Sequence, residues 1–413
     1  MALDPGPLAE SGVDPHIEGH GERHRAQAMV GRTRPTALTR LHLTDFRGYA
    51  AARLEVESRP VVLTGPNGAG KTNLLEAISF LAPGRGLRRA RLAEIDRRVP
   101  PAKPTDRPPG AWAVGARLLG PRGAVQVGTG RDAASPGGER RLVRIDGVRA
   151  KSQAALAEHA HITWLTPQMD RLFGDGSGER RRFLDRLVLG FDAAHAARVA
   201  AYERAMRERA RLLRDGPADP AWLGALEATM AAEGIAIAAA RHELTLRLDA
   251  ECAAAPGPFP QARLRLAGEV EDWLAAMPAL AAEDTLRRRL AAGRRADAES
   301  GITLTGPHRA DLAVHHVASG MAAASCSTGE QKALLIAILL AHARLRTRMS
   351  GAPPILLLDE VAAHLDPTRR AALFDALTAL ETQAWLTGTE PQLFAGLAGL
   401  GQFVTVADAA IGL

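Results

Sequence analysis

Asparagine is nearly missing from this 413-residue chain: there are two, Asn67 and Asn73, and both fall in one short stretch, "LTGPNGAGKTN". Lysine is almost as scarce. Of 52 basic residues four are Lys, leaving 48 Arg, and one of the four, Lys71, sits in the same stretch. Only two cysteines occur, Cys252 and Cys326, far apart and in no CxxC or Cys/His spacing, which argues against a disulfide framework or a zinc module and makes a reducing cytoplasm the default location. No apolar run approaches the length of a membrane span, and the opening residues lack the apolar core of a signal peptide, so no membrane association is expected.

The remaining composition, 46% hydrophobic and 24% charged, is that of a globular protein large enough for more than one domain. A formal charge of +6 suits a polyanionic partner, but an arginine bias can come from base composition, so charge by itself argues weakly for nucleic acid. Residues 1–36 read as a disordered Gly/Pro/His-rich leader, with Met29 as an alternative start. Then "LTRLHLTDFRGYAAARLEV" alternates as a strand hairpin, "PVVLTG" reads as a buried strand entering a glycine turn, and "KTNLLEAISFLA" keeps helical spacing. A Pro-rich surface loop from Pro100 to Pro109 precedes three antiparallel strands of a β-rich lobe. Prolines cut the Ala/Arg/Leu-rich region that follows into helices of moderate length, excluding a long coiled coil. The expected organisation is an α/β P-loop head, 37–175 with its β-lobe and 298–413, split by a helical insertion at 176–297.

Strand, glycine turn and helix in that order, with Gly65-x-x-x-x-Gly70-Lys71-Thr72, fit the Walker A pattern. Its loop, Gly65, Pro66, Asn67, Gly68, Ala69, Gly70, Lys71, Thr72 and Asn73, offers backbone N–H groups and a helix N-terminus to phosphates, Lys71 as a point charge, and the Thr72 hydroxyl to Mg²⁺. This accounts for the one place where Asn and Lys are spent. "PILLLDE" places Asp359 and Glu360 at the end of an apolar strand, Asp359 for the Mg²⁺ shell and Glu360 to activate the attacking water. "CSTGEQK" sets Ser327 and Gly329 ahead of a long helix; Ser327 or Thr328 with Glu330 is also a plain helix cap. In "GPHRADL", His308, Arg309 and Asp311 fit a hydrogen-bonded turn as well as a catalytic part. Runs around Arg85, Arg88, Arg89, Arg91, Arg97 and Arg98, and Arg180 to Arg182, are candidate phosphate contacts or solvated faces.

Walker A, the "STGEQK" signature, Walker B and then "HLD" at His364 to Asp366, in that order, resemble ABC-type ATPases of the RecF/SMC kind. About 256 residues separate Lys71 from Ser327, too many for a transporter ATPase subunit, while the prolines exclude an SMC arm. With "LTDFRGYAAARLEV", "TPQMDRLFGDGSGERRRFLDRLV" and "TGPHRADL", the chain resembles the RecF family of recombination mediators from Leu38 onward. That resemblance implies an ATP-driven homodimer, with each nucleotide held between Walker A of one subunit and Ser327, Gly329 and Asp366 of the other. It also implies a weak, DNA-dependent ATPase clamping gapped or single-strand/double-strand junction DNA, working with RecO and RecR to load RecA in repair and the SOS response. Arg47 matches an arginine that reaches the nucleotide in related heads, or else is a surface arginine at a strand end. Gln168 falls where a Q-loop senses Mg²⁺, or is a polar loop position. Where the switch His of most ABC ATPases would stand, Thr387 or Thr389 stands instead, and slow turnover is the expectation.

Overall fold

Short, wholly apolar segments make the buried strands of one sheet, and alternating segments make a second sheet with one wet face. The computed structural model describes residues 36–97, 110–134, 140–216, 219–255 and 257–412. Almost all of the 1–36 leader, Arg98 and the Pro-rich stretch from Pro100 to Pro109 lie outside the described residues. The first half runs β1 (Ala37–Phe46), β2 (Tyr49–Glu55), β3 (Val61–Thr64), α1 (Lys71–Ser79), β4 (Ala113–Gly120), β5 (Gly123–Arg131), β6 (Arg141–Ile145), β7 (Val148–Arg149) and β8 (Ile162–Leu165). A mainly helical stretch follows: α2 (Ser177–Val188), α3 (His195–Arg214), α4 (Pro220–Ala253), β9 (Ala262–Ala267), α5 (Glu269–Ala276), α6 (Ala279–Ala292) and α7 (Arg294–Ser300). The chain closes with β10 (Asp311–His316), α8 (Thr328–Ser350), β11 (Ile355–Leu358), α9 (Pro367–Ala379), β12 (Ala384–Gly388), β13 (Gln402–Ala407) and β14 (Ala410–Gly412).

One sheet has the order β14-β13-β3-β12-β11-β8 and is parallel except at β14. Strands β3, β12, β11 and β8 are buried on both faces, so side chains divide by parity. Ile355 and Leu357 pack with α1 on one face, while Leu356 and Leu358 pack with α8 and α9 on the other. The second sheet, β2-β1-β4-β5-β6-β7, is antiparallel. It covers α1 with Leu41, Leu43, Val114, Leu118, Val127 and Val143, so that α1 lies between the two sheets. Arg141 on β6 reaches past the end of that helix to the carbonyls of Ala82 at 3.3 Å and Gly84 at 2.8 Å, a cation placed at a helix C-terminus. Burial pushes its guanidinium down to about 9. The buried amide of Gln383 joins the sheets directly, taking the Leu38 N–H and donating to the Leu38 and Glu57 carbonyls, each at 2.8 Å.

The helical stretch departs from the sequence expectation twice. Its longest member, α4, has 34 residues, about 51 Å of helix, because Pro220 can start a helix at its first position and no proline falls inside it. It also contains a strand: β9, "ARLRLA", pairs antiparallel with β10, burying Ala262, Leu264 and Leu266. The period-two signal was present but is written in Ala and Arg, which read as helix. Among the described residues α4 is also the one helix apolar and long enough to cross a membrane by length and composition, contrary to the expectation that no run approaches that length. Its buried positions instead pack on α3, α6, α8 and β9, and it carries the buried charges Glu227 and Arg241.

Those charges are paired. Arg209 on α3 is fully buried and donates to Glu227 at 3.0 Å, to Asp297 at 2.6 Å and to the Leu290 carbonyl at 2.7 Å, fastening α3, α4, α6 and α7. Arg241 grips Asp185 with two bonds of 2.7 and 2.8 Å, and His195 adds a third at 2.7 Å. Burial alone would raise the Asp185 carboxyl; the bonds from His195 and Arg241 outweigh it and bring it to about 2. Breaking a buried pair leaves its partner charge uncompensated. Arg209→Met is therefore expected to destabilise the protein by about 3–5 kcal/mol, read as a lower urea midpoint; an unchanged midpoint would show that the network is not holding these helices together.

Candidate nucleotide-binding site

The loop between β3 and α1 is shaped by residues that cannot carry a side chain. Gly65 has φ +147°, and a Cβ there would lie 2.0 Å from the Val406 carbonyl oxygen on β13. Gly70 has φ +110°, and a Cβ would lie 2.7 Å from the Tyr49 hydroxyl, which itself donates to the Gly70 carbonyl at 3.1 Å. From the other side the Ala409 N–H donates to the Ala69 carbonyl at 3.0 Å. The loop is thus braced by the β1–β2 hairpin and the β13–β14 turn. Lys71 closes it from within, its Nζ donating to the carbonyls of Gly65 at 2.6 Å and Pro66 at 2.9 Å. Burial lowers the Lys71 ammonium from its ordinary range, while Glu360 and Asp359 oppose that shift. Helix α1 begins at Gly70 with no side-chain cap and no acidic residue in its first turn, leaving its first N–H groups to an anion.

Across the sheet's carboxyl edge lies the acidic pair. Asp359 Oδ1 accepts from the Thr72 hydroxyl at 3.0 Å and from the Thr387 hydroxyl at 2.8 Å, and Thr387 in turn accepts the Glu360 N–H at 2.8 Å. Burial raises the Asp359 carboxyl, partly offset by those two hydroxyls. Glu360 has φ 53°, a left-handed backbone unusual for a non-glycine residue, so its side chain leaves the strand line while its N–H stays on Thr387. Of the two threonines standing where a switch His would be, Thr387 is buried against the acidic pair and Thr389 is exposed.

Arg47 occupies the β1–β2 turn with φ 54°. Its guanidinium holds Glu76 of α1 with bonds of 2.9 and 2.7 Å, and a third bond goes to the Glu94 carbonyl at 2.9 Å. Glu76 is fully buried and also accepts from Arg88 at 3.0 Å, while Arg88 donates to Asn73 at 2.8 Å. The structure therefore places Arg47 beside the first turns of α1, oriented by a carboxylate that sequence reasoning misses; a lone Glu inside "NLLEAISF" is its only signal. Gln168 is exposed on the turn Pro167–Arg171 that leaves β8, and because Leu165 pairs with Leu358 this turn lies at the same sheet edge as Asp359.

The signature is built differently. Ser327 caps α8, accepting the Glu330 N–H at 3.3 Å, while the Glu330 carboxylate takes the Ser327 N–H at 2.9 Å and its hydroxyl at 2.8 Å. Ser327, Thr328 and Gly329 are exposed, and no atom comes within 4 Å of a Cβ placed on Gly329. Asp366 caps α9 through the Arg369 N–H at 2.9 Å. Among the described residues no hydrogen bond or ion pair joins Ser327, Gly329 or Asp366 to the phosphate loop. Lys332 of α8 reaches Asp170, in the Gln168 turn, at 3.3 Å. The "GPHRADL" residues sit away from this chemistry: His308 bonds Tyr202 at 2.7 Å and the Thr303 carbonyl at 2.8 Å, and Asp311 is held by Arg180 at 2.7 and 2.9 Å.

Residues 40–94 match the family model described as an AAA domain. The chain is 51% identical over 379 residues to the DNA replication and repair protein RecF of Mesorhizobium japonicum, covering 91% of this chain and 98% of that one. It is 52% identical over 375 residues to RecF of Rhizobium etli, covering 90% and 97%. Among solved structures, the recombination mediator RecF in complex with an ATP analogue superposes with a TM-score of 0.78 at 19% identity, covering 92% of this chain and 98% of that one. Its ATP complex superposes at 0.75 and 20% identity, with the same coverage. The fold is that of an ABC-type P-loop ATPase.

Two substitutions separate the loop from the acidic pair. Gly65→Ala drives a methyl group into the Val406 carbonyl and is expected to abolish binding of a fluorescent ATP analogue. Thr387→Val removes hydrogen bonds from Asp359 and the Glu360 backbone, each worth about 1–3 kcal/mol. It is expected to cut the hydrolysis rate by about ten- to a hundredfold with binding of the analogue retained; equal loss of both would place Thr387 in loop assembly instead.

Proposed function

The chain belongs to the RecF family of DNA replication and repair proteins, and from that premise we propose that it is an ATP-gated clamp whose two copies close on gapped or junction DNA. The observation that carries this reading is a nucleotide site supplied in halves. Loop 65–73 faces Asp359 and Glu360 within one chain, whereas the capped end of α8 at Ser327 and Gly329 stands uncovered at the surface.

ATP phosphates enter the loop by exchanging the Gly65 and Pro66 carbonyls for their own oxygens at Lys71, and the uncapped N–H groups of α1 hold them. Thr72 and Asp359 bring two hard oxygen donors within 3.0 Å of each other, a pair that fits Mg²⁺, an ion that keeps several waters and takes one or two protein ligands. Mg²⁺ held by Thr72 and Asp359 would supply charge neutralisation to the bound phosphates. Glu360, aimed away from the strand by its left-handed backbone, orients and deprotonates the attacking water. A second copy closes the site with Ser327, Gly329 and the N-terminus of α8 at the γ-phosphate, and with Asp366 near the shared seam. Gln168 reports metal occupancy to α8 through the Asp170–Lys332 ion pair. Arg47, held by Glu76, positions the first turns of α1 that follow the phosphate loop. Thr387 cannot shuttle a proton as an imidazole does, which suits slow hydrolysis of a clamp that must persist.

The names of the solved relatives, recombination mediators RecF of the RecFOR pathway, support a role beside RecO and RecR; assistance to RecA loading and a cytoplasmic location complete the proposed reading. Light scattering with ATP and Mg²⁺ tests the clamp. Wild type is expected to double its mass and retain gapped duplex. Lys71→Met should bind no nucleotide and stay monomeric, and Ser327→Arg should bind ATP but stay monomeric. Undiminished dimerisation of Ser327→Arg would refute a site completed by the partner's signature.

A further inference from the structure

The arginines that cluster in the sequence are largely committed to internal partners. Arg88 serves Glu76 and Asn73, Arg97 pairs with Asp45 at 2.8 Å, and Arg89 lies 3.6 Å from Glu179. Arg180 holds Asp311, Arg181 donates to the Ala310 carbonyl, and Arg182 pairs with Glu179. Arg85 and Arg91 stay exposed beside Arg140 at one depression, and strand pairing creates a second cationic surface.

On the solvent face of the antiparallel sheet, register aligns residues far apart in sequence into two rows running across the strands. One row reads Arg53, His42, Gly115, Gly128, Arg144, Arg149 from β2 to β7. Beside it lies Glu55, Arg40, Arg117, Gln126. Arg40 and Arg53 share the single carboxylate of Glu55 at one edge. Among the described residues no carboxylate lies within ion-pair distance of Arg117, Arg144 or Arg149, and all three are exposed. Gly115 and Gly128 make the floor of a depression of about 380 Å³ walled by Arg40, His42, Arg117 and Arg144. A Cβ on either glycine would meet only a neighbouring side-chain Cβ, so a ligand can approach the backbone between the basic walls.

We propose that this sheet face is the docking surface for the phosphate backbone of duplex DNA, an assignment that rests on the DNA-binding reading above. Strand spacing makes the longer row about 24 Å from end to end, along which a duplex presents roughly 14 phosphate charges. No Phe, Tyr or Trp stands in either row, which favours contact to backbone over stacking on bases. Positive charge on a pleated, rigid surface with a glycine floor matches a regular polyanion, and the apolar face of the same strands is already covered by α1.

The triple variant Arg117→Ala/Arg144→Ala/Arg149→Ala and the single variant Arg144→Glu test the assignment with a fluorescein-labelled duplex titrated across salt concentrations. The triple variant is expected to weaken binding at every salt concentration and to flatten the slope of log affinity against log salt by about two to three, close to 0.9 for each phosphate no longer neutralised. Arg144→Glu should flatten it by about one to two. Thermal midpoint and ATP-driven dimerisation should stay at wild-type values in both, because none of these residues touches the nucleotide site. If wild type binds duplex and both variants keep its slope, the face is not the DNA surface and is left to an acidic protein partner. If wild type itself binds no duplex, the functional reading fails first and this assignment with it.

Discussion

One carboxylate oxygen gathers the chemistry of this protein. Asp359 Oδ1 takes hydroxyl protons from Thr72, at the start of α1, and from Thr387, at the end of β12, so residues 72, 359 and 387 meet at one point. Parallel strands make this possible, because β3, β11 and β12 all deliver their C-terminal ends to the same edge. That edge is where open parallel sheets place ligands. Burial of Asp359 and its hydroxyl partners act in opposite directions on its proton affinity, so hydrogen bonds offset what burial does to this carboxylate.

Local features were legible in the sequence for a physical reason: a phosphate loop is contiguous. Lys71 closes the loop on the carbonyls of Gly65 and Pro66 within a few residues, and the structure finds the strand, turn and helix in the order the pattern requires. The acidic end of "PILLLDE" is legible in the same way. Features set by pairing were not. Glu76 is one acidic letter in an apolar helix until Arg47 and Arg88 arrive from 29 and 12 residues away. Strand β9 declares itself only against β10, and the longer basic row exists only once five strand registers are fixed. Linear clusters of arginine mislead in part because ion pairs within the fold take up Arg88, Arg97 and Arg180.

The helical stretch shows a different economy. It has little aromatic content and many small side chains, so its helices are positioned by buried ions as well as by packing. Arg209 and Arg241 each satisfy several acceptors at once. Such networks contribute less net stability than apolar packing, but they penalise any slipped arrangement, because every alternative strands a charge. That suits an element whose angle against the ATPase core must be reproducible.

The β1–β2 hairpin connects matters that have so far stood apart. Its tip carries Arg47 and Tyr49, bonded to Glu76 and to the Gly70 carbonyl, while its body carries Arg40, His42 and Arg53 on the opposite, wet face. A pleated strand pair is stiff along its length. One pair of strands therefore braces the phosphate loop at its tip and lays out cations along its wet face, so the sequence of this hairpin answers to two neighbourhoods at once.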